Sequence, residues 1–147
     1  MRKFMLAAGV ALMTATPFAL QAASSNTSAS VSIGDIQRYV KAEKYDRAIS
    51  KAKEYLRSNP RSADAYNYLG YSERKLGNLD DAKKAYERAL KIDANHVGAH
   101  EYYGELHITL GDLDGAEKHL AALTRICGNC AEQQELAAKV AKAKASG

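Results

Sequence analysis

Tyr45, Ala48, Ala52, Tyr55 and Leu56 recur at three- and four-residue intervals, the spacing that gathers side chains on one face of an α-helix, and Asn59-Pro60 stops the run. Ser32 stands three residues ahead of Asp35, an arrangement that caps a helix start, so a shorter helix is expected before it, ending near Ala42. Ser62 caps the next helix, in which Tyr66, Leu69, Gly70 and Tyr71 crowd one side. Gly77-Asn78 and Gly111-Asp112 are predicted turns, because glycine accepts the left-handed conformation that ends a helix. Beyond Cys130, Leu136, Ala137 and Val140 share a face of a final helix over 131–145. Glu132, Gln133, Lys139 and Lys142 are its polar positions.

The pattern repeats with a period of 34 residues. Superposing 63–96 on 97–130 aligns Gly70 with Gly104, Gly77 with Gly111, Asp80 with Asp114, Ala82 with Ala116 and Ile92 with Ile126. A weaker copy over 29–62 places Tyr45-Asp46-Arg47-Ala48 on Leu79-Asp80-Asp81-Ala82. It departs most in its first helix, where Asp35-Ile36 replaces a Leu-Gly pair. A period of this length marks stacked helical hairpins, none of which buries its apolar face alone. Gly70 and Gly104 sit inside helices, where glycine costs about 1 kcal/mol relative to alanine. The expected compensation is close approach of a neighbouring helix.

Tyr66, Leu69-Gly70, Leu76-Gly77, Ala82, Tyr86, Ala89-Leu90 and Ile92-Asp93 carry a resemblance to the tetratricopeptide repeat, with Pro60 where that family ends a unit. Ala94 and Gly128 depart from the terminal proline. The resemblance implies an all-α, right-handed superhelical solenoid of antiparallel helix pairs, closed by the C-terminal helix as a cap. It also implies a binding or scaffolding role in place of catalysis.

The chain is 147 residues long, short enough for one domain. Arg2-Lys3, the apolar run Phe4 to Met13 and the small residues after Leu20 read as a secretory signal over 1–23. Bacterial export to the periplasm or beyond is the expectation, with a flexible polar stretch over 24–31. Thr14, Thr16, Pro17 and Gln21 interrupt the apolar segment and argue against a retained membrane anchor. Without Arg2 and Lys3, 19 basic side chains face 17 acidic ones, so no nucleic-acid footprint is expected.

Cys127 and Cys130 are the only cysteines. In an exported chain this pair reads first as a disulfide joining the last hairpin to the capping helix. The same spacing serves dithiol redox chemistry. With His100 and His107 the two thiols form an alternative thiol-redox or metal-binding reading. His100 superposes on Tyr66 and His119 on Ala85, which favours histidines packed beside aromatic neighbours over ligands. No phosphate loop, nucleophile elbow or HExxH pattern is present, so neither catalysis nor a cofactor is expected.

In the resembled family partners lie in the concave groove formed by the first helix of each hairpin. Carried onto this chain, that implies a lining of Gln37, Lys41, Asp64, Asn67, Tyr71, Arg74, Lys75, Glu101, Glu105, Ile108 and Thr109. Arg74 and Lys75 form an expected cationic edge and Ile108 an apolar spot, suited to an extended peptide or a helix of mixed charge. Tyr68 and Gly98 stand where a C-terminal carboxylate clamp requires Asn and Lys, so that mode is not expected. The thin first repeat leaves self-association open.

Overall fold

The computed structural model describes residues 30–146. The expected signal over 1–23, and all but the last two residues of the polar stretch after it, lie outside the described residues. Seven helices follow in order: α1 Ile33–Lys41, α2 Tyr45–Ser58, α3 Ala63–Lys75, α4 Leu79–Ile92, α5 Val97–Thr109, α6 Leu113–Cys127 and α7 Ala131–Ser146. No strand occurs among the described residues.

Each start has a local cause. Ser32 Oγ accepts from the Asp35 amide while Asp35 Oδ2 accepts from the Ser32 amide, a reciprocal cap on α1. Ser62 caps α3 through the Ala65 amide. His96, at the repeat position of Ser62, caps α5 through Nδ1, and its Nε2 therefore donates to Asp64 at 3.0 Å. Gly77 and Gly111 take φ of 83° and 75° in the hairpin turns, and Glu43 at the matching position of the weak repeat takes 55°. The degenerate unit thus makes the same turn without the glycine.

The contacts between helices dictate the curvature. Within each hairpin α1 packs on α2, α3 on α4 and α5 on α6. Successive hairpins join through α2 on α3, α4 on α5 and α6 on α7. The first helices also touch one another, α1 to α3, α3 to α5 and α5 to α7, whereas no contact links α2 to α4 or α4 to α6. A row whose one side is closed and whose other side is splayed is a curved solenoid, with α1, α3, α5 and α7 on the concave side.

Its core runs as clusters along the row. Ile36, Ala52, Leu56 and Ala65 join α1, α2 and α3; Ala82, Tyr86, Tyr103 and Leu106 join α4 to α5; Ala116, Leu123, Leu136 and Val140 join α6 to α7. Both helical glycines are close-packing sites, each against a different kind of partner. Gly70 lies under the ring of Tyr86 in its own hairpin. Gly104 receives Leu136 of α7, which makes the last helix a structural continuation of the row. Val140 and Leu136 are buried as the amphipathic pattern required.

Candidate binding groove

Side chains bridge the concave helices in sequence. Gln37 of α1 donates to the Tyr68 hydroxyl of α3 at 2.7 Å. Tyr71 of α3 meets Tyr102 of α5 with ring centroids 4.8 Å apart, and Arg74 of α3 pairs with Glu105 of α5. Lys139 of α7 pairs with Glu105 and lies 4.0 Å from Glu101 and 3.6 Å from Glu135. The inner face is therefore a laterally bonded belt from α1 to α7.

Its middle is aromatic. Tyr45, at the start of α2, meets Tyr71 edge-on at 6.1 Å, and Lys75 Nζ stands 5.9 Å from the Tyr71 ring and 5.8 Å from that of Tyr45. The Arg74 guanidinium lies 5.5 Å from the same Tyr71 ring. Tyr45, Tyr68, Tyr71 and Tyr102 are all half-buried, presenting part of each ring to solvent. Such rings offer contact area at low entropic cost, and their hydroxyls can hydrogen-bond a partner's backbone.

Arg74 is not the open cationic edge expected of it, because its side chain and that of Glu105 are each only 13% exposed and neutralise one another. The cationic edge reduces to Lys75, with Lys41 exposed on α1. Ile108 is likewise not an open apolar spot; it packs against the α6–α7 cluster. Asn67 and Glu101 are buried, and Asn67 Nδ2 presses on the first turn of α5, where a Cβ on Gly98 would lie 3.0 Å away. Asp64 is exposed beyond its bond to His96, and Thr109 turns its hydroxyl back to the Glu105 carbonyl oxygen. Tyr45, Tyr68 and Tyr102 were missed as groove residues, although Tyr68 and Tyr102 occupy the same repeat position and could have been found by it.

Charge is unevenly distributed. Three carboxylates, Glu101, Glu105 and Glu135, share Lys139, with Arg74 as the further cation. Burial, reinforced by Glu135 and Glu105, pushes the Glu101 carboxyl up to about 8. Burial and the charge of Glu101 also raise the Tyr102 phenol. Against burial, Glu105, Glu101 and Glu135 hold the Lys139 ammonium above its ordinary value.

The sulfurs of Cys127 and Cys130 stand at bonding distance across the turn between α6 and α7, with Cα atoms 5.6 Å apart. His100 and His119 lie together with Tyr103 inside the α5–α6 hairpin, as their superposition on packing positions suggested, and His107 joins them there. Among the described residues no three side chains of His, Cys, Asp or Glu are arranged to hold a metal ion.

Two family models described as Tetratricopeptide repeat match the chain, one over residues 36–94 and one over residues 73–140, so that together they run from α1 into α7. The chain belongs to the tetratricopeptide repeat family. Among curated proteins this repeat chain is similar to heat shock protein STI1 of Saccharomyces cerevisiae, 36% identical over 61 residues. That match takes in 42% of the chain and 10% of the relative, so the chain spans about a tenth of that protein's length.

Solved repeat domains have the same architecture. The first TPR domain of human RPAP3 superposes with a TM-score of 0.70 at 20% identity, over 78% of this chain and 90% of that one. The second TPR domain of human RPAP3, in complex with an HSP70 peptide, gives 0.67 at 18% identity over 76% and 94%. The Yersinia enterocolitica type III secretion chaperone SycD, in complex with a peptide of the translocator YopD, gives 0.66 at 18% identity over 78% and 87%. At such identities the likeness is one of fold.

Proposed function

We propose that this tetratricopeptide repeat chain is an exported, non-catalytic interaction module that holds a peptide or protein partner in its concave groove. The observation that carries the reading is the half-buried tyrosine belt of Tyr45, Tyr68, Tyr71 and Tyr102, with Lys75 over two of its rings. Solved relatives of the same fold are bound to peptides, which supports the same use here. Arg2-Lys3, the following apolar run and the small residues after Leu20 support export, and an oxidising compartment suits a Cys127–Cys130 disulfide closing the joint between α6 and α7.

The test is selection of linear peptides displayed at random against the folded protein, followed by fluorescence anisotropy on an enriched sequence. Tyr71→Ala and Lys75→Glu should each weaken binding about tenfold, the loss expected of a groove anchor. Lys91→Glu, on the outer side of α4, should leave it unchanged. Enriched peptides indifferent to Tyr71 and Lys75 would remove the groove from the reading. N-terminal sequencing of the protein from its native compartment tests export, with Ser24 as the expected first residue.

A further inference from the structure

The α5–α6 hairpin contains a cluster that the groove does not use. His100 is buried, while His107 and His119 are half-buried. The rings of His100 and His107 each lie 5.2 Å from that of His119, and Tyr103 packs 4.6 Å from both His107 and His119. Space for the cluster comes from Gly115 on α6, where a Cβ would overlap His107 Nδ1 and Asp112 Oδ2.

The hydrogen bonds assign the protons. His100 Nε2 lies 3.0 Å from the Ala94 carbonyl oxygen, which only accepts, so Nε2 carries the proton and Nδ1 of the neutral ring is a bare lone pair. His119 Nδ1, 2.9 Å from it, is therefore the donor. His107 donates through Nδ1 to Asp112 Oδ2 at 2.8 Å.

Few charges face this cluster. From α4, Glu87 accepts from the Tyr103 hydroxyl; from the α5–α6 turn, Asp112 pairs with His107. The Arg74 side chain of α3 and the Glu135 and Lys139 side chains of α7 engage Glu101 and Glu105, which helical spacing puts on the other side of α5 from His100 and His107. No carboxylate among the described residues lies within ion-pair distance of His100 or His119.

We propose that His119, set between His100 and His107, forms an acid-sensitive joint that keeps α6 closed on α5 while its ring is neutral and loosens it as that ring takes up a proton. His119 Nδ1 donates to the His100 Nδ1 lone pair across the two helices, so the neutral rings fit one another. A proton on His119 places a cation between two other imidazoles with no carboxylate to receive it. Burial, then His100 and His107, accordingly hold His119 down at about 4. In the open hairpin it returns to the ordinary value near 6.5, so the open form binds protons first and closure weakens as pH falls from about 6.5 to about 4. Because α5 carries Tyr102 and Glu105, loosening disturbs that half of the groove, although the joint stands whether or not the groove has a partner.

Hydrogen exchange of the full chain, corrected for the intrinsic rate, tests this at about pH 7.5 and about pH 5. Relative to α3 and α4, the opening of α6 should rise about tenfold at the lower pH, a value reduced from the full linkage because His119 is half-buried. His119→Gln should abolish the rise. A wild-type ratio that does not change with pH, or a rise that persists in the variant, overturns the proposal. Should His119→Gln not fold, the imidazole proton resonances of the wild type decide. Uptake by His119 near pH 4, in step with α6 opening, upholds the joint; uptake near pH 6.5 with α6 still closed overturns it.

Discussion

The ring of Tyr86 occupies the space in which a side chain at Gly70 would begin: a Cβ there would stand 2.7 Å from Tyr86 Cε1 and 2.8 Å from Cδ1. Tyr86 is fully buried and cannot swing aside. An exposed helical glycine gains up to about 1 kcal/mol on change to alanine. Here overpacking outweighs that gain, and Gly70→Ala should destabilise by about 1–3 kcal/mol. Urea unfolding measures it, and a stabilised variant would show that the ring does not hold this site.

Glu43 is the counterpart in the weak repeat. It takes φ of 55° where Gly77 and Gly111 take 83° and 75°. An L side chain in that region costs about 1–2 kcal/mol, more than glycine loses in chain entropy. Glu43→Gly should therefore raise stability by a few tenths to about 1 kcal/mol. The thermal midpoint reports it, and unchanged or lowered stability would mean that Glu43 makes up its backbone cost elsewhere.

The legible and illegible parts of this molecule differ by physical kind. Helix starts at Ser32 and Ser62, turns at Gly77 and Gly111, and the buried face of α7 at Leu136 and Val140 follow from neighbours within one or two turns, so periodicity and capping chemistry expose them. The concave placement of Arg74 could be read by repeat position. Its neutralisation could not, because Glu105 lies a whole repeat away and the pair depends on how closely α5 approaches α3. Gly115 was opaque for a similar reason: its meaning lies in the His107 ring on the opposite helix.

The Arg74–Glu105 pair yields a prediction of its own. With both side chains only 13% exposed, removing one partner strands a poorly solvated charge, whereas removing both leaves none. Glu105→Ala should cost about 3 kcal/mol, and adding Arg74→Met should restore most of it. Strictly additive losses in a double-mutant cycle would show that the two side chains do not depend on each other.

Glu101 sets the pH dependence above neutrality. Burial and the nearby Glu135 and Glu105 carry its carboxyl to about 8 in the folded chain, against an ordinary value near 4.3 in the unfolded one. Between those values the folded state keeps a proton that the unfolded state has lost. This contribution is complete below about pH 4.3 and disappears as pH rises through about 8. His119, held at about 4, works in the opposite sense, but only below about 6.5. Asp35 and Asp112 are lowered from 3.8, Asp35 chiefly by the Ser32 amide and Asp112 chiefly by the Gly115 amide, and so act at still lower pH. The interval from about 6.5 to about 8 therefore isolates Glu101. Wild-type stability should rise on acidification across it, and Glu101→Gln, which cannot ionise, should flatten the slope. Urea midpoints at the two ends of the interval measure both. Equal slopes in the two proteins would show that Glu101 is already ionised beside Lys139 at neutral pH.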